Sequence, residues 1–244
     1  MTRPDISAVL LDVGGVFLLP DTAVLRGALK PWLDDVSVDA LRRGHYAGIA
    51  AMDAEGVAAA TEAVVAGEDL PPPDWPAYNA ALVATLGLSG KDASAAAAAI
   101  GRRMPGVPWN EVIPGILDAL HDLAATGVAI GIVSNSDGTV AEQLLTARIC
   151  QIGEGEGVPV AVLLDSHLVG IAKPDPGIFH HALGELGVPA ERAVHVGDTG
   201  WADVVGARAA GVRPIHLDPY DDCPLRGDHD HVSHLRDVVS LLGS

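Results

Sequence analysis

Apolar residues in this chain come in short runs closed by small or turn-forming residues, and that rhythm predicts most of its architecture. Residues 7–13 read as a buried first strand, stopped by Gly14 and Gly15, which permit a tight turn. Residues 128–133, 158–164, 193–196 and 212–217 read as further short strands, and such continuous β-branched runs suit strands buried on both faces of a parallel sheet. Helical periodicity fills the intervals at 114–125, 139–148, 176–186 and 201–210, with Gly127, Gly187 and Gly211 as stop signals. This alternation predicts an α/β fold: a doubly wound, Rossmann-like parallel sheet with right-handed crossovers.

Residues 21–108 break the alternation. They contain no convincing strand, an Ala-rich helix at 93–100 and three consecutive prolines within 70–74. The expected division is therefore a core of residues 1–20 and 109–244 interrupted by an α-helical cap at 21–108.

Composition narrows the partners. The 49% apolar content is Ala and Val dispersed among polar residues, with no run long enough to span a bilayer, so no membrane partner is expected. Residues 1–5 carry no signal-peptide apolar region, which makes cytoplasmic residence the default. A formal net charge of −17, from 15 basic and 32 acidic residues, argues against nucleic acid as a partner, because phosphate backbones are held by clustered cations. Cys150 and Cys223 are too few for a disulfide scaffold, show no C-x-x-C spacing, and read as inert thiols. The chain is expected to be a monomer or homodimer.

The candidate chemistry lies in four islands: Asp12, Ser134 with Asn135, Lys173 to Pro176, and Gly197 to Asp203. In a parallel sheet all four gather at the carboxyl ends of strands, where open α/β folds bind ligands. Each taken singly suits a turn, a loop or a helix cap. Taken together, in register with the strands, they suit phosphoryl chemistry, because a carboxylate attacks phosphorus only when a cation offsets the repulsion between the two anions.

These islands, in this order, resemble the motifs of the haloacid dehalogenase superfamily, most of whose members are Mg-dependent phosphohydrolases. Leu10 to Val16 resembles the family's nucleophile loop, Ile132 to Asn135 its second motif, Val169 to Phe179 its lysine motif, and His195 to Asp203 its metal motif. The resemblance implies an aspartyl-phosphate on Asp12, and Mg²⁺ held by Asp12, the Gly14 carbonyl, Asp198 and waters, with Asp203 on the ion or just behind it. It further implies that Ser134, Asn135 and the N–H groups of Val13 and Gly14 hold the phosphoryl oxygens, that Lys173 neutralises their charge, and that the substrate is a small phosphorylated metabolite.

The departure is Gly14, where such phosphatases usually carry a second Asp as acid and base. Either Asp21 or His45 substitutes for it, or the leaving group needs little protonation. Because 2-haloacid dehalogenases also lack that Asp, a metal-free hydrolase of this kind is one alternative, and a catalytically silent binding protein is another. A phosphonate hydrolase would need a Schiff-base lysine in the cap, where Lys30 and Lys91 have no motif around them.

Within the cap, Arg42, Arg43, His45 and Tyr46 form the one cluster able to grip an anionic or sugar-like substrate. Trp32, Trp75 and Tyr78 read as packing residues, and Trp201 as a residue at the site entrance. Residues 228–234 have a metal-like composition, yet the pattern also suits an exposed strand leading into a helix at 235–242, which is the reading adopted.

Overall fold

The computed structural model describes residues 5–70, 72–225 and 228–242. The first four residues, which belong to the start read for a signal peptide, and Pro71, within the proline-rich 70–74, lie outside the described residues. Strand β1 (Ala8–Leu11) runs through the middle of the sheet. Val9 and Leu11 enter one hydrophobic cluster while Ala8 and Leu10 enter another, the two-residue alternation expected of a strand covered on both faces.

After β1 come β2 (Leu18–Pro20), then helices α1 (Thr22–Leu29), α2 (Val38–Ala66), α3 (Trp75–Thr85) and α4 (Gly90–Gly101), then β3 (Trp109–Val112). The chain continues through α5 (Ile116–Ala125), β4 (Ala129–Ser134), α6 (Val140–Thr146), β5 (Cys150–Ile152), β6 (Val158–Val160), β7 (Val162–Asp165), α7 (Ser166–Val169) and α8 (Pro176–Leu186). It ends with β8 (Ala193–Gly197), a π-helical turn at Gly200–Val204, α9 (Val205–Ala209), β9 (Arg213–Leu217), β10 (Asp230–Val232) and α10 (Val238–Leu242). Six strands form the main sheet in the order β10-β9-β8-β1-β4-β7, every pairing parallel. The predicted α/β parallel-sheet class is the one observed.

Three local departures have physical causes. The single apolar run at 158–164 supplies two strands, because Val158 pairs with Cys150 in a separate small sheet while Val162 pairs with Gly131 in the main one. The antiparallel β2–β3 pair bounds the α1–α4 segment and is too short to give an alternation signal. Residues 230–232, expected to be an exposed strand, instead extend the main sheet beside β9 with Val232 buried.

Helices α1 to α4 share a third hydrophobic cluster that includes Leu29, Leu41, Tyr78, Leu82 and Ile100. Ser37 caps α2, and Gly67, in the left-handed conformation, ends it. Along α2, Leu41, His45, Ile49, Met52 and Asp53 are buried at three- and four-residue spacing, so one stripe of the helix faces inward. Among the described residues no helix is long and apolar enough to cross a membrane.

Candidate active site

Asp12 follows β1 directly. Its backbone N–H donates to the Val196 carbonyl at 2.9 Å, so the sheet itself fixes where its carboxylate emerges. The chain then turns tightly, with the N–H groups of Phe17 and Leu18 both on the Val13 carbonyl. Gly15 has φ 66°, and a Cβ there would overlap the Asp198 carboxylate, so only glycine fits. Ser134 ends β4 and lines the same cleft, buried.

Lys173 is 2% exposed, with Nζ 2.8 Å from Asp12 Oδ1 and 2.7 Å from Asp203 Oδ1. Asn135 holds the lysine's backbone at two points: Nδ2 donates to the Lys173 carbonyl at 2.9 Å, and Oδ1 accepts the Lys173 N–H at 2.8 Å. The Asn135 amide thus anchors the lysine segment, a part the resemblance does not give it, and the residue also lines the cleft.

Asp203 is likewise fully engaged. Oδ1 also takes His195 Nε2 at 2.8 Å, and Oδ2 accepts the Thr199 N–H at 3.0 Å and the Thr199 hydroxyl. Burial opposes ionisation of Asp203, yet the Lys173 charge and the His195 hydrogen bond hold its carboxyl well below the usual range. Burial also opposes the charge on Lys173, and Asp12 and Asp203 overcome it, raising the ammonium above its ordinary value.

The other two carboxyls go the opposite way. Burial pushes Asp12 up to about 6 against the pull of Lys173, and burial together with the Asp203 charge raises Asp198 well above the carboxylate range. Oxygens of Asp12, Asp198 and Asp203 lie within 4.8 Å of one another, all buried, with Lys173 the one ammonium among them. This excess of buried negative charge, with oxygen donors, fits a hard divalent cation such as Mg²⁺. Because both Asp203 oxygens are occupied, the ligands left for it are Asp12 and Asp198, with Asp203 behind them.

Helix α2 is stitched to the sheet at three points. His45 Nε2 lies 3.1 Å from Asp198 Oδ2, and His45 Nδ1 lies 2.8 Å from the Tyr78 hydroxyl. Burial lowers the His45 imidazolium to about 3, so the ring is neutral. The tautomer that satisfies both partners donates from Nε2 to Asp198 and accepts at Nδ1 from Tyr78. The Tyr46 hydroxyl donates to the Gly15 carbonyl at 2.6 Å, and Asp53 accepts the N–H groups of Gly200 at 2.7 Å and Trp201 at 2.9 Å.

A cleft of about 560 Å³ opens above Asp12. Lys173 is its cationic lining residue, and the walls are Ile49, Met52, Trp75, Met104, Trp109 and Trp201. Of the expected cap cluster, only His45 lines this cleft. Arg42 is held by Asp39 and Tyr220, while Arg43 makes a two-pronged pair with Asp222, so both guanidiniums are neutralised away from the cleft. Tyr46 braces the nucleophile loop instead. Asp21 caps α1 and accepts from Asn110, also outside the cleft.

Four residues here carried no role in the sequence reading: Asp53, Trp109, His195 and Thr199. Asp53 had a signal, a carboxylate on the apolar stripe of α2, and so did His195, next to the metal-like island. Trp109 had none, since its place beside Gly14 depends on the β2–β3 pairing. A Cβ on Gly14 would meet the Trp109 ring at 3.1 Å.

A family model described as haloacid dehalogenase-like hydrolase matches residues 6–211. Phosphoserine phosphatase of Thermus thermophilus is 35% identical over 117 residues, 48% of this chain and 42% of that protein. Phosphoglycolate phosphatase of Rhodospirillum rubrum is 37% identical over 101 residues, 41% of this chain and 39% of that protein. The match thus spans less than half the length of either relative. Among solved structures, a HAD phosphatase from Thermococcus onnurineus superposes with TM-score 0.54 at 20% identity, covering 98% of both chains. A 2-haloacid dehalogenase from Pseudomonas syringae does so with TM-score 0.52 at 22% identity, again over 98% of both. At these identities the likeness is one of fold.

Proposed function

Given that the chain belongs to the haloacid dehalogenase-like hydrolase family, we propose that it is a Mg²⁺-dependent phosphohydrolase forming an aspartyl-phosphate on Asp12, with a small phosphorylated metabolite as substrate. The observation that carries this reading is the set of three clustered, buried carboxylates, of which only Asp12 and Asp203 pair with the Lys173 ammonium. A metal-free attack on carbon has no use for Asp198, whereas phosphoryl chemistry needs its charge. Residues 21–108 act as the cap over a core of residues 1–20 and 109–244.

Asp12 attacks phosphorus as the bond to the leaving oxygen breaks, and water then cleaves the aspartyl-phosphate, releasing phosphate and returning the Asp12 carboxylate. Lys173 keeps Asp12 oriented and neutralises the phosphoryl oxygens, and Asp203, held ionised by Lys173 and His195, keeps that ammonium charged. The Ser134 hydroxyl and the N–H groups of Val13 and Gly14 hydrogen-bond the phosphoryl oxygens. Asp12, Asp198 and the Gly14 carbonyl would hold Mg²⁺, whose charge would offset the repulsion between the Asp12 carboxylate and the phosphate.

Protonation of the leaving group is the step this chain handles differently. Gly14 has no side chain, and His45, lowered to about 3, is not an imidazolium near neutral pH. The leaving group therefore departs with little proton assistance, which favours aryl, acyl or glycosyl phosphates over alkyl monoesters. The apolar walls of the cleft favour aryl and acyl bodies.

One observation favours a second reading. With Trp109 filling the space beside Gly14, the site suits a reaction whose leaving group needs no proton, and halide is such a group. A single experiment separates the two readings: phosphate release from alkyl, aryl and acyl phosphates with Mg²⁺, with and without EDTA, run beside halide release from 2-haloacids. Phosphate release silenced by EDTA supports the proposal. Halide release indifferent to EDTA replaces it with the dehalogenase, and activity in neither assay leaves the binding protein.

A further inference from the structure

Away from the cleft, four side chains able to ligate a metal converge from three segments. His216 on β9 and His231 on β10 are direct partners in the strand register, which puts both imidazoles on one face of the sheet edge. Cys223 and His229 come from the connection between those strands. One ligating atom of each of the four lies within 4.8 Å of the others.

The orientations are those of a ligand set. His216 Nε2 donates to the Asp198 carbonyl at 2.8 Å, which fixes the tautomer and leaves Nδ1 as a lone pair turned towards His229 Nε2, 3.0 Å away. His229 Nε2 is in turn 3.8 Å from Cys223 Sγ. Asp218 accepts the N–H groups of Asp222 at 2.9 Å and Cys223 at 3.0 Å, folding the connection back over the sheet. The Leu225 N–H donates to Cys223 Sγ at 3.4 Å, the type of bond that stabilises a thiolate.

As a purely protein cluster this arrangement is poor. Among the described residues His229 Nδ1 and His231 Nε2 are buried without hydrogen-bond partners, and the His229 and His231 rings lie 4.3 Å apart. Zinc bound at His231 Nε2 would give that buried nitrogen a partner. Tetrahedral Zn²⁺ places nitrogen ligands roughly 3.4 Å from each other and about 3.6 Å from a thiolate sulfur, near the 3.0 Å between His216 Nδ1 and His229 Nε2 and the 3.8 Å between His229 Nε2 and Cys223 Sγ. Three imidazoles with one thiolate also suit zinc and not Mg²⁺, which takes oxygen ligands.

We propose that His216, Cys223, His229 and His231 form a second metal centre, a structural zinc site that pins the β9–β10 connection and, through His216, braces the Asp198 carbonyl. Four protein ligands leave no open position, so the ion is structural, not catalytic. On binding, Cys223 loses its thiol proton to solvent and each imidazole gives a lone pair. The site stands independently of the reaction proposed for the cleft, since it shares no ligand with Asp12 and Asp198.

The test uses the full chain, freed of any affinity tag and loaded with Zn²⁺ or with Co²⁺ as a spectroscopic substitute. About one zinc per chain is expected to survive dialysis. The Co²⁺ form should show a sulfur-to-cobalt charge-transfer band with strong tetrahedral absorption. Cys223→Ser should remove that band, His231→Ala should weaken metal affinity about tenfold or more, and Asp12→Asn should keep the band because the cleft offers oxygen donors. A folded wild-type chain that retains no zinc, or whose Co²⁺ spectrum is weak, octahedral and free of the sulfur band, overturns the proposal even if Cys223→Ser fails to fold. Persistence of the band in folded Cys223→Ser also overturns it.

Discussion

The Trp109 ring lies 3.1 Å from the point where a Cβ on Gly14 would sit. A side chain at Gly14 would press on this ring, which has to give by a few tenths of an ångström to admit it. Gly14→Asp alone is expected to lower the melting temperature and to leave alkyl phosphate turnover unimproved. Combined with Trp109→Ala, it should raise alkyl turnover relative to Trp109→Ala alone. A double-mutant cycle on stability and kcat/KM checks this, and simple additivity of the two changes would show that the residues do not compete.

Asp12→Asn should abolish phosphate release, by roughly a thousandfold or more, because an amide forms no acyl-phosphate. The fold should survive, since Asp12 is held in place by its backbone bond to Val196. Steady-state kinetics beside circular dichroism decide this. Residual turnover near the wild-type rate in a folded variant would remove Asp12 from the reaction.

Lys173→Met deletes the ammonium shared by Asp12 and Asp203 and leaves those two buried carboxylates facing each other. Turnover should fall by about a hundredfold or more, and stability should fall by about 3 kcal/mol or more, as when one partner of a buried ion pair is removed. Denaturant melts give the second number. If stability were unchanged, the buried triad would not exist as described.

Mg²⁺ should raise the melting temperature of the wild-type chain by mass action, and EDTA should reverse the shift. Asp198→Asn should lose the shift, while Thr199→Ala, which removes a hydroxyl bonded to Asp203, should keep most of it. Thermal shift against Mg²⁺ concentration measures both. A full shift in Asp198→Asn would place the cation elsewhere.

Asp53 makes a prediction about pH. Burial pushes its carboxyl up to about 7, against the N–H groups of Gly200 and Trp201, so the folded chain holds this proton after the unfolded chain has lost it near 3.8. The resulting stability is fully present below the unfolded value and is lost as pH rises through about 7. The melting temperature of the wild type relative to Asp53→Asn should therefore decline between about pH 4 and 7 and then level off. A constant difference across that window would mean that Asp53 is ionised throughout in the folded state.

Much of this molecule was legible in the order of its residues. The β-branched runs around Val9, Ile132 and Val194 marked the parallel strands because a strand covered on both faces has to be apolar on both. Gly15, Gly187 and Gly211 marked turns because only glycine enters the left-handed region without strain. Asp12, Ser134 and Asp198 were found because they sit at strand ends, and a parallel sheet brings such ends together whatever lies between them, whereas Lys173 lies in the loop between α7 and α8 and reaches them because Asn135 holds its backbone.

What side chains do to one another across the fold was beyond that reading. Asn135 and Asp203 had the right chemistry for phosphate and metal, and only packing showed that both are hydrogen-bonded to Lys173. Arg42 and Arg43 looked like substrate grips until the fold brought Tyr220 against the first and Asp222 against the second. Trp109 reached Gly14 through a strand pair too short to leave a pattern. The tail histidines became a cluster only when β10 paired with β9 and set His231 beside His216. Periodicity and turn chemistry are local, so the sequence determined which elements form and where their reactive ends lie. Charge pairing, steric filling and ligand convergence join residues tens to more than a hundred positions apart, and only tertiary structure decides those.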